Sequence, residues 1–417
     1  MRRGGIMLHR GAHAALAGLI LGCLLFAVQT DRVTAPRAHA QAPTELKYTG
    51  AASCGASNCH GSTKPKADYP KLNENIVWTQ KDHHAKAYAT LTNEKLKSGV
   101  SPSKIARELK LAKAETSDRC LTCHAVNVPA AVRGPKFDIT DGVSCDACHG
   151  PAEKWLEAHA EKGWTHEQSV KLGMYDTKSF LLRSEKCVAC HLSIDHELVA
   201  AGHPDLLAFE LATFSANMPP HWRDKGTWAD TKAWAAGQAI SLREAAKQLG
   251  TRAKSGVSAK LLDDALRKVQ GHAAVIKYAL APAAAQTLEQ DVAALADLVT
   301  KGDRAGITAS ATKISSAMNQ EAPRLAARDW DQAGTQKLMQ SITGDADAIG
   351  AVGVRAAEQA AMALDRLYNV YAKAPGNKPD KAAGDALDRV FGTIEDPAKY
   401  DAKRFAAEVK AFEKNLK

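Results

Sequence analysis

Four short stretches of the chain join two cysteines to a histidine. Cys120-Leu121-Thr122-Cys123-His124, Cys145-Asp146-Ala147-Cys148-His149 and Cys187-Val188-Ala189-Cys190-His191 share the spacing C-x-x-C-H. Cys54-Gly55-Ala56-Ser57-Asn58-Cys59-His60 repeats the device with four residues between the cysteines. Three chemistries compete for such groups. Cys-x-x-Cys knuckles pair around structural zinc, which needs four ligands per ion, and nothing in that scheme asks for a histidine directly after every second cysteine. Eight cysteines can close four disulfides in an oxidising compartment, again without a use for the histidines. Covalent haem uses every residue: two thiols add to the vinyl groups of one porphyrin, and the next residue turns its imidazole under the iron. Recurrence makes chance a poor account. The expectation is four haem c groups, attached through Cys54, Cys59, Cys120, Cys123, Cys145, Cys148, Cys187 and Cys190, with His60, His124, His149 and His191 as iron ligands.

Each iron then needs a sixth ligand or an open face, and that choice separates electron transfer from catalysis. After residue 40 the histidines outside the motifs are His83, His84, His159, His166, His196, His203 and His221, followed only by His272. His83 and His84 lie in NIVWTQKDHHAKAYATL, which reads as a helix; helical neighbours point about 100° apart, so one haem can use only one of them. In GPAEKWLEAHAEKG, Pro151 sits where a helix could begin, and Trp155 and His159 share a face at i,i+4. SIDHELVAAGHPDLLAFEL brings His196 and His203 just after the last motif. Met174 and Met218 offer a thioether instead, which would raise the potential of that haem. His272 reads as an ordinary helix residue.

The elements that position these groups divide the chain. Residues 1–40 read as an export signal: Arg2, Arg3 and Arg10, an uncharged apolar run from Ala14 to Val28 and an A-x-A site at Ala38-His39-Ala40. The wide gap before that site leaves an uncleaved anchor open, and Cys23 reads as part of the signal. Residues 41–228 hold every motif and few long apolar runs, so porphyrins are expected to supply much of the core. Residues 229–417 are Ala-rich with helical periodicity, as in Leu262, Ala265, Leu266, Val269, Ala273 and Ile276. Gly250, Pro282, Gly302, Gly344 and the turn at 375–379 punctuate them. The fold class expected is mainly α: a haem-dominated domain with little regular sheet, then an antiparallel helical bundle. The 417 residues suit two domains, and 24% charged with 45% hydrophobic residues is a globular profile. The formal charge of +9 is partly the signal's own. Without a long basic run, no nucleic-acid partner is expected.

Taken together, the first Cys…Cys-His followed by W…HHAKAYATL, then CLTCHAV, then GVSCDACHGP with a histidine about ten residues on, and finally CVACHL, resemble the cytochrome c-554 family of tetrahaem cytochromes. The resemblance covers about residues 48–205. It implies periplasmic electron transfer through closely packed haem pairs, mostly with two axial histidines, and maps His84 and His159 onto the family's distal-ligand positions. DHELVAAGHPDLLAFEL is similar to a stretch of other multihaem cytochromes, which points to His196 and His203 next. The first motif departs in its spacing, and the helical half from about 229 has no counterpart in the family. The family also includes a member with one five-coordinate haem.

The reading that follows is a periplasmic relay, not an enzyme. It would pass electrons between a periplasmic dehydrogenase or oxidoreductase and a membrane or soluble acceptor. The alternative is a multihaem oxidoreductase acting on a small nitrogen or sulfur compound at one open haem, although the C-x-x-C-K site of pentahaem nitrite reductases is absent from the sequence. A haem sensor or assembly subunit is a third.

Overall fold

The computed structural model describes residues 46–206 and 208–416. The export-signal reading of residues 1–40, with Cys23, lies outside them. The described chain is mainly α-helical, and its pairing of extended segments is limited to an isolated bridge between Tyr48 and Arg133.

Short helices carry the first half: α1 (Ala51–Cys54), α2 (Glu74–Lys81), α3 (Pro102–Glu108), α4 (Asp118–His124), α5 (Cys145–His149), α6 (His166–Lys171), α7 (Phe180–His191), α8 (His196–Ala200) and α9 (Leu211–Asn217). Side chains start and stop them. The Ser101 and Ser179 hydroxyls cap α3 and α7, Thr165 and Gln168 form a capping box on α6, and the buried Glu210 carboxylate accepts from Ala212 and Thr213 at the head of α9.

Two expected helices are corrected. The stretch 75–91 is not one helix: α2 ends at Lys81, and two 3-10 turns follow, His83–Lys86 and Tyr88–Leu91. The cause is Asp82, which is extended and whose carboxylate accepts the His84 N–H at 2.9 Å, starting a new turn. After Pro151 the chain makes a wound turn and a 3-10 turn at Ala158–Ala160. There the Trp155 indole N–H, not a backbone N–H, donates to the Pro151 carbonyl at 2.9 Å, which diverts the helical ladder at its first step.

Long helices carry the second half: α10 (Ala229–Lys254), α11 (Ala259–Ile276), α12 (Pro282–Lys301), α13 (Arg304–Ala327), α14 (Gln332–Gly344), α15 (Ala346–Val352), α16 (Val354–Lys373), α17 (Lys381–Gly392) and α18 (Ala402–Glu413). Pro282 opens α12, Gly302 caps it, and residues 375–379 separate α16 from α17 as expected. Gly250 is a further correction, because α10 runs through it. A Cβ there would lie 3.4 Å from that of Ala311, so the glycine serves the close approach of α13. Gly237 does the same for α9: its Cβ would fall 2.6 Å from the Leu211 Cβ.

Helix α10 is central, packing on α7, α9, α11, α13 and α16. One apolar core runs from Val188, Leu192, Phe209 and Leu211 through Trp234 and Ile240 to Phe405 and Phe412. Buried Arg243 on α10 reaches Glu185 on α7 at 3.0 Å and Asn319 on α13 at 3.1 Å. Ahead of α7 the apolar packing is small, with Leu91, Ala106, Ala114, Cys120, Leu121 and Ala125 forming a separate cluster. None of the largest fully buried side chains precedes Leu192. No helix among the described residues is long and apolar enough to cross a membrane.

Candidate functional site

In α4, α5 and at the end of α7 each motif occupies one helical turn, so the two cysteines at i and i+3 and the histidine at i+4 crowd one side of the helix. The stretched first motif reaches a similar result by folding back. Cys54 ends α1, the chain turns, and the His60 N–H donates to the Cys54 carbonyl at 3.1 Å. None of the eight motif cysteines is in a disulfide. The motifs adjoin in twos: the thiols of Cys54 and Cys145 are close enough to shift one another's ionisation, and so are those of Cys123 and Cys190. Helix α1 accordingly packs on α5, and α4 on α7.

Three motif histidines face a second imidazole from a distant segment. The rings of His60 and His159 are parallel within 3° with centroids 6.0 Å apart. His191 faces His84 at 5.8 Å, and His124 faces His203 at 6.3 Å, both near perpendicular. A metal held about 2 Å from each nitrogen, with roughly 1 Å more from nitrogen to ring centre, sets two axial imidazoles about 6 Å apart. The observed separations therefore suit an iron between each pair.

The hydrogen bonds agree. The Nδ1 of His60 meets the Glu74 carboxylate at 2.8 Å, and that of His84 meets Asp82 at 2.9 Å. His124 donates from Nδ1 to the Ala87 carbonyl at 3.0 Å, His159 to Trp155 at 3.0 Å and His203 to Pro204 at 2.8 Å. In these five of the six rings Nδ1 is engaged, which leaves Nε2 with the lone pair that a metal takes and fixes the ring plane. Burial, reinforced by His84, pushes the His191 imidazole down to about 4. Burial also lowers His124, and a neutral ring is the ligating form. Burial raises the Asp82 carboxyl, but its hydrogen bonds to His84 outweigh that and hold it below the ordinary value. Among the described residues no group of three or more His, Cys, Asp or Glu is placed to hold a metal ion by itself. The donors come as imidazole pairs beside cysteine pairs, which fits haem c and not a four-donor zinc site.

His149 stands apart. It is half-buried, and desolvation, followed by His221, His60, His166 and His159, pushes it down to about 4, yet among the described residues no imidazole is in ring contact with it. His221 acts on it most strongly of the four. Its Nδ1 donates to the Pro219 carbonyl at 3.2 Å, again leaving Nε2. The segment carrying His221 is strapped to α7 by Arg183, which grips Asp224 with two nitrogens at 2.9 and 2.7 Å and lies over the Trp222 ring.

Of the histidines expected as sixth ligands, His84, His159 and His203 face motif histidines. His196 does not: it opens α8 with its Nδ1 3.8 Å from Asp195. Asp195 caps the helix and turns His196 with it. Of the adjacent pair, His84 faces His191, whereas His83 is exposed. His166 binds Asp176 through Nε2, the nitrogen a metal would need. Trp155 walls His159 edge-on at 5.5 Å, as the i,i+4 spacing suggested. Phe209 and Phe214 flank His191 at 5.7 and 5.2 Å. Glu74 escaped the sequence reading, whereas Asp82, directly ahead of the His83-His84 pair, was a visible cue.

Residues 53–150, which hold the first three motifs, match the model of the family described as cytochrome c554 and c-prime. No curated protein and no solved structure matches the chain.

Proposed function

We propose that the protein is a periplasmic tetrahaem cytochrome relaying electrons between redox partners, a reading supported by the match of residues 53–150 to the cytochrome c554 family model, a family with covalent haem c. The observation that carries this reading is the set of three imidazole pairs with centroids 5.8–6.3 Å apart, each built on a Cys…Cys-His motif. Bound haem supplies reversible one-electron chemistry at each iron. The chain's part is to hold the cofactors by the eight cysteines and to present neutral imidazoles in fixed planes. The pairs His60–His159, His124–His203 and His191–His84 would each hold one iron from two sides. Two histidine ligands leave no vacant place for a substrate and favour low potentials. The sequence of residues 1–40, read as an export signal, and the adjoining of motifs in twos support the periplasmic, relay-like character.

The test combines intact mass with electron paramagnetic resonance of the oxidised holoprotein. The mass exceeds that of the bare chain by four haems, and a mass without haem would end the proposal. His84→Ala, His159→Ala and His203→Ala each turn one low-spin iron high-spin, whereas His83→Ala and His196→Ala leave the spectrum unchanged.

One observation favours the enzyme reading at a single site: among the described residues no imidazole is in ring contact with His149. If His221 does not close that iron, carbon monoxide binds one haem of the reduced protein, and His221→Ala changes nothing. Turnover of hydroxylamine or nitrite above the rate of free haem would then make the protein an oxidoreductase.

A further inference from the structure

The helical half lies beyond the segment matched to the family, and its deepest charges do not face solvent. Lys268 on α11 and Arg252 on α10 are each 1% exposed. Both converge on one carboxylate: Asp205 accepts from Lys268 Nζ at 2.7 Å and from Arg252 at 3.0 Å. Lys268 also donates to Gln248 Oε1 at 2.8 Å, and the Gln248 amide donates onward to the Leu192 and Ile194 carbonyls at 3.2 and 2.9 Å. This network thus grips the chain directly after the fourth motif and again two residues after His203.

Burying two cations and an anion is costly, and a packed apolar trio is often as stable or more so. Stability alone is a weak reason for the arrangement. What the network touches is His203-Pro204-Asp205. Proline locks its own φ and restricts the residue before it, so this tripeptide has little freedom between its ends. His203 is further tied by its Nδ1 bond to the Pro204 carbonyl and by its N–H to the Leu198 carbonyl at 2.9 Å. Fixing Asp205 therefore fixes the ring that faces His124.

We infer that the helical half is part of the haem site, and that Asp205, held by Arg252 and Lys268, is a positioning residue setting His203 opposite His124. Rigid second-sphere bonds of this kind determine whether an axial ligand stays on its metal. The inference rests on the axial-pair reading above.

The test uses the full-length holoprotein and counts high-spin irons by electron paramagnetic resonance, with equivalents of carbon monoxide bound after reduction. Asp205→Asn keeps all its haems by mass but gains one further high-spin iron and one further equivalent of carbon monoxide. Where that variant does not accumulate, Asp205→Asn with Lys268→Met, which removes one charge of each sign, is read in the same way. Adding His203→Ala to either gives no second new high-spin iron, because the same site is already open. Thr335→Val, which breaks a buried hydroxyl pair with Thr231 elsewhere in the bundle, leaves the spin count unaltered. If His203→Ala opens an iron and the Asp205 variants do not, the anchoring inference is overturned. If His203→Ala itself leaves every iron low-spin, the axial pairing has failed instead.

Discussion

At the scale of single residues, the site is assembled by acceptors for Nδ1. Glu74, Asp82 and three backbone carbonyls choose which nitrogen faces the partner imidazole in five of the six paired rings, and this choice matters as much as the histidine. Glu210 shows a different use of burial. It caps α9 from a fully buried position, and burial pushes its carboxyl up to about 7, against the pull of its bonds to Ala212 and Thr213. The unfolded chain ionises it near 4.5. Between those values the folded state binds the extra proton, so this group's contribution is complete below the unfolded value and is lost as pH rises through about 7. The loss amounts to roughly 3 kcal/mol at most. Urea midpoints should therefore fall between about pH 5 and pH 8 more steeply in the wild type than in Glu210→Gln. Parallel slopes would show that Glu210 ionises normally.

At the scale of elements, α9 is wedged between the fourth motif and the bundle. Phe214 lies on it and Phe209 just ahead of it, both against His191, while Leu211 meets α10 at Gly237. Two glycine substitutions separate packing from propensity. Gly384 in α17 has nothing within 4 Å of an added Cβ, so Gly384→Ala gains the helix preference of alanine, about 0.5–1 kcal/mol. Gly237→Ala gains the same preference but drives its Cβ into Leu211, at a cost of about 1–3 kcal/mol. Denaturant melts are expected to move in opposite directions, and only Gly237→Ala should disturb the spectrum of the haem at His191. Equal stabilisation by both would refute the close packing.

At the scale of the whole molecule, the charge is unevenly placed. Lys95, Lys97, Lys104, Arg107, Lys110 and Lys113 are all exposed, and Glu108 is the lone acid between them. Residues 114–210 carry nine basic against fifteen acidic residues. The positive stretch lies over the second motif, since Ala106 and Ala114 pack with Cys120 and Leu121. An acidic redox partner would be steered to that end, and exposed charges are screened over about 10 Å at moderate salt. Oxidation of the reduced protein by ferricyanide is expected to slow as ionic strength rises. The double variant Lys110→Glu, Lys113→Glu should be slower at low salt and less sensitive to it. An unchanged rate in that variant would remove this surface from the path.

Attachment chemistry was legible before any fold was known, because Cys, Cys and His at i, i+3 and i+4 share one helical turn whatever surrounds them. The helices around Leu262–Ile276 and the stop at Pro282 were equally local and readable. Local rules failed where a side chain or a distant helix took a backbone group's place. Asp82 broke the helix expected through His84, the Trp155 indole claimed the Pro151 carbonyl, and Ala311 gave Gly250 a neighbour that kept α10 whole. Which imidazole faces which was not in the spacing at all. His203 meets His124 across 79 residues because Asp205 is drawn between Arg252 and Lys268, and His196, nearer in sequence to the fourth motif, is turned aside by its helix cap. Residue types and spacing determine what can bind; burial of the chain against itself decides which groups meet.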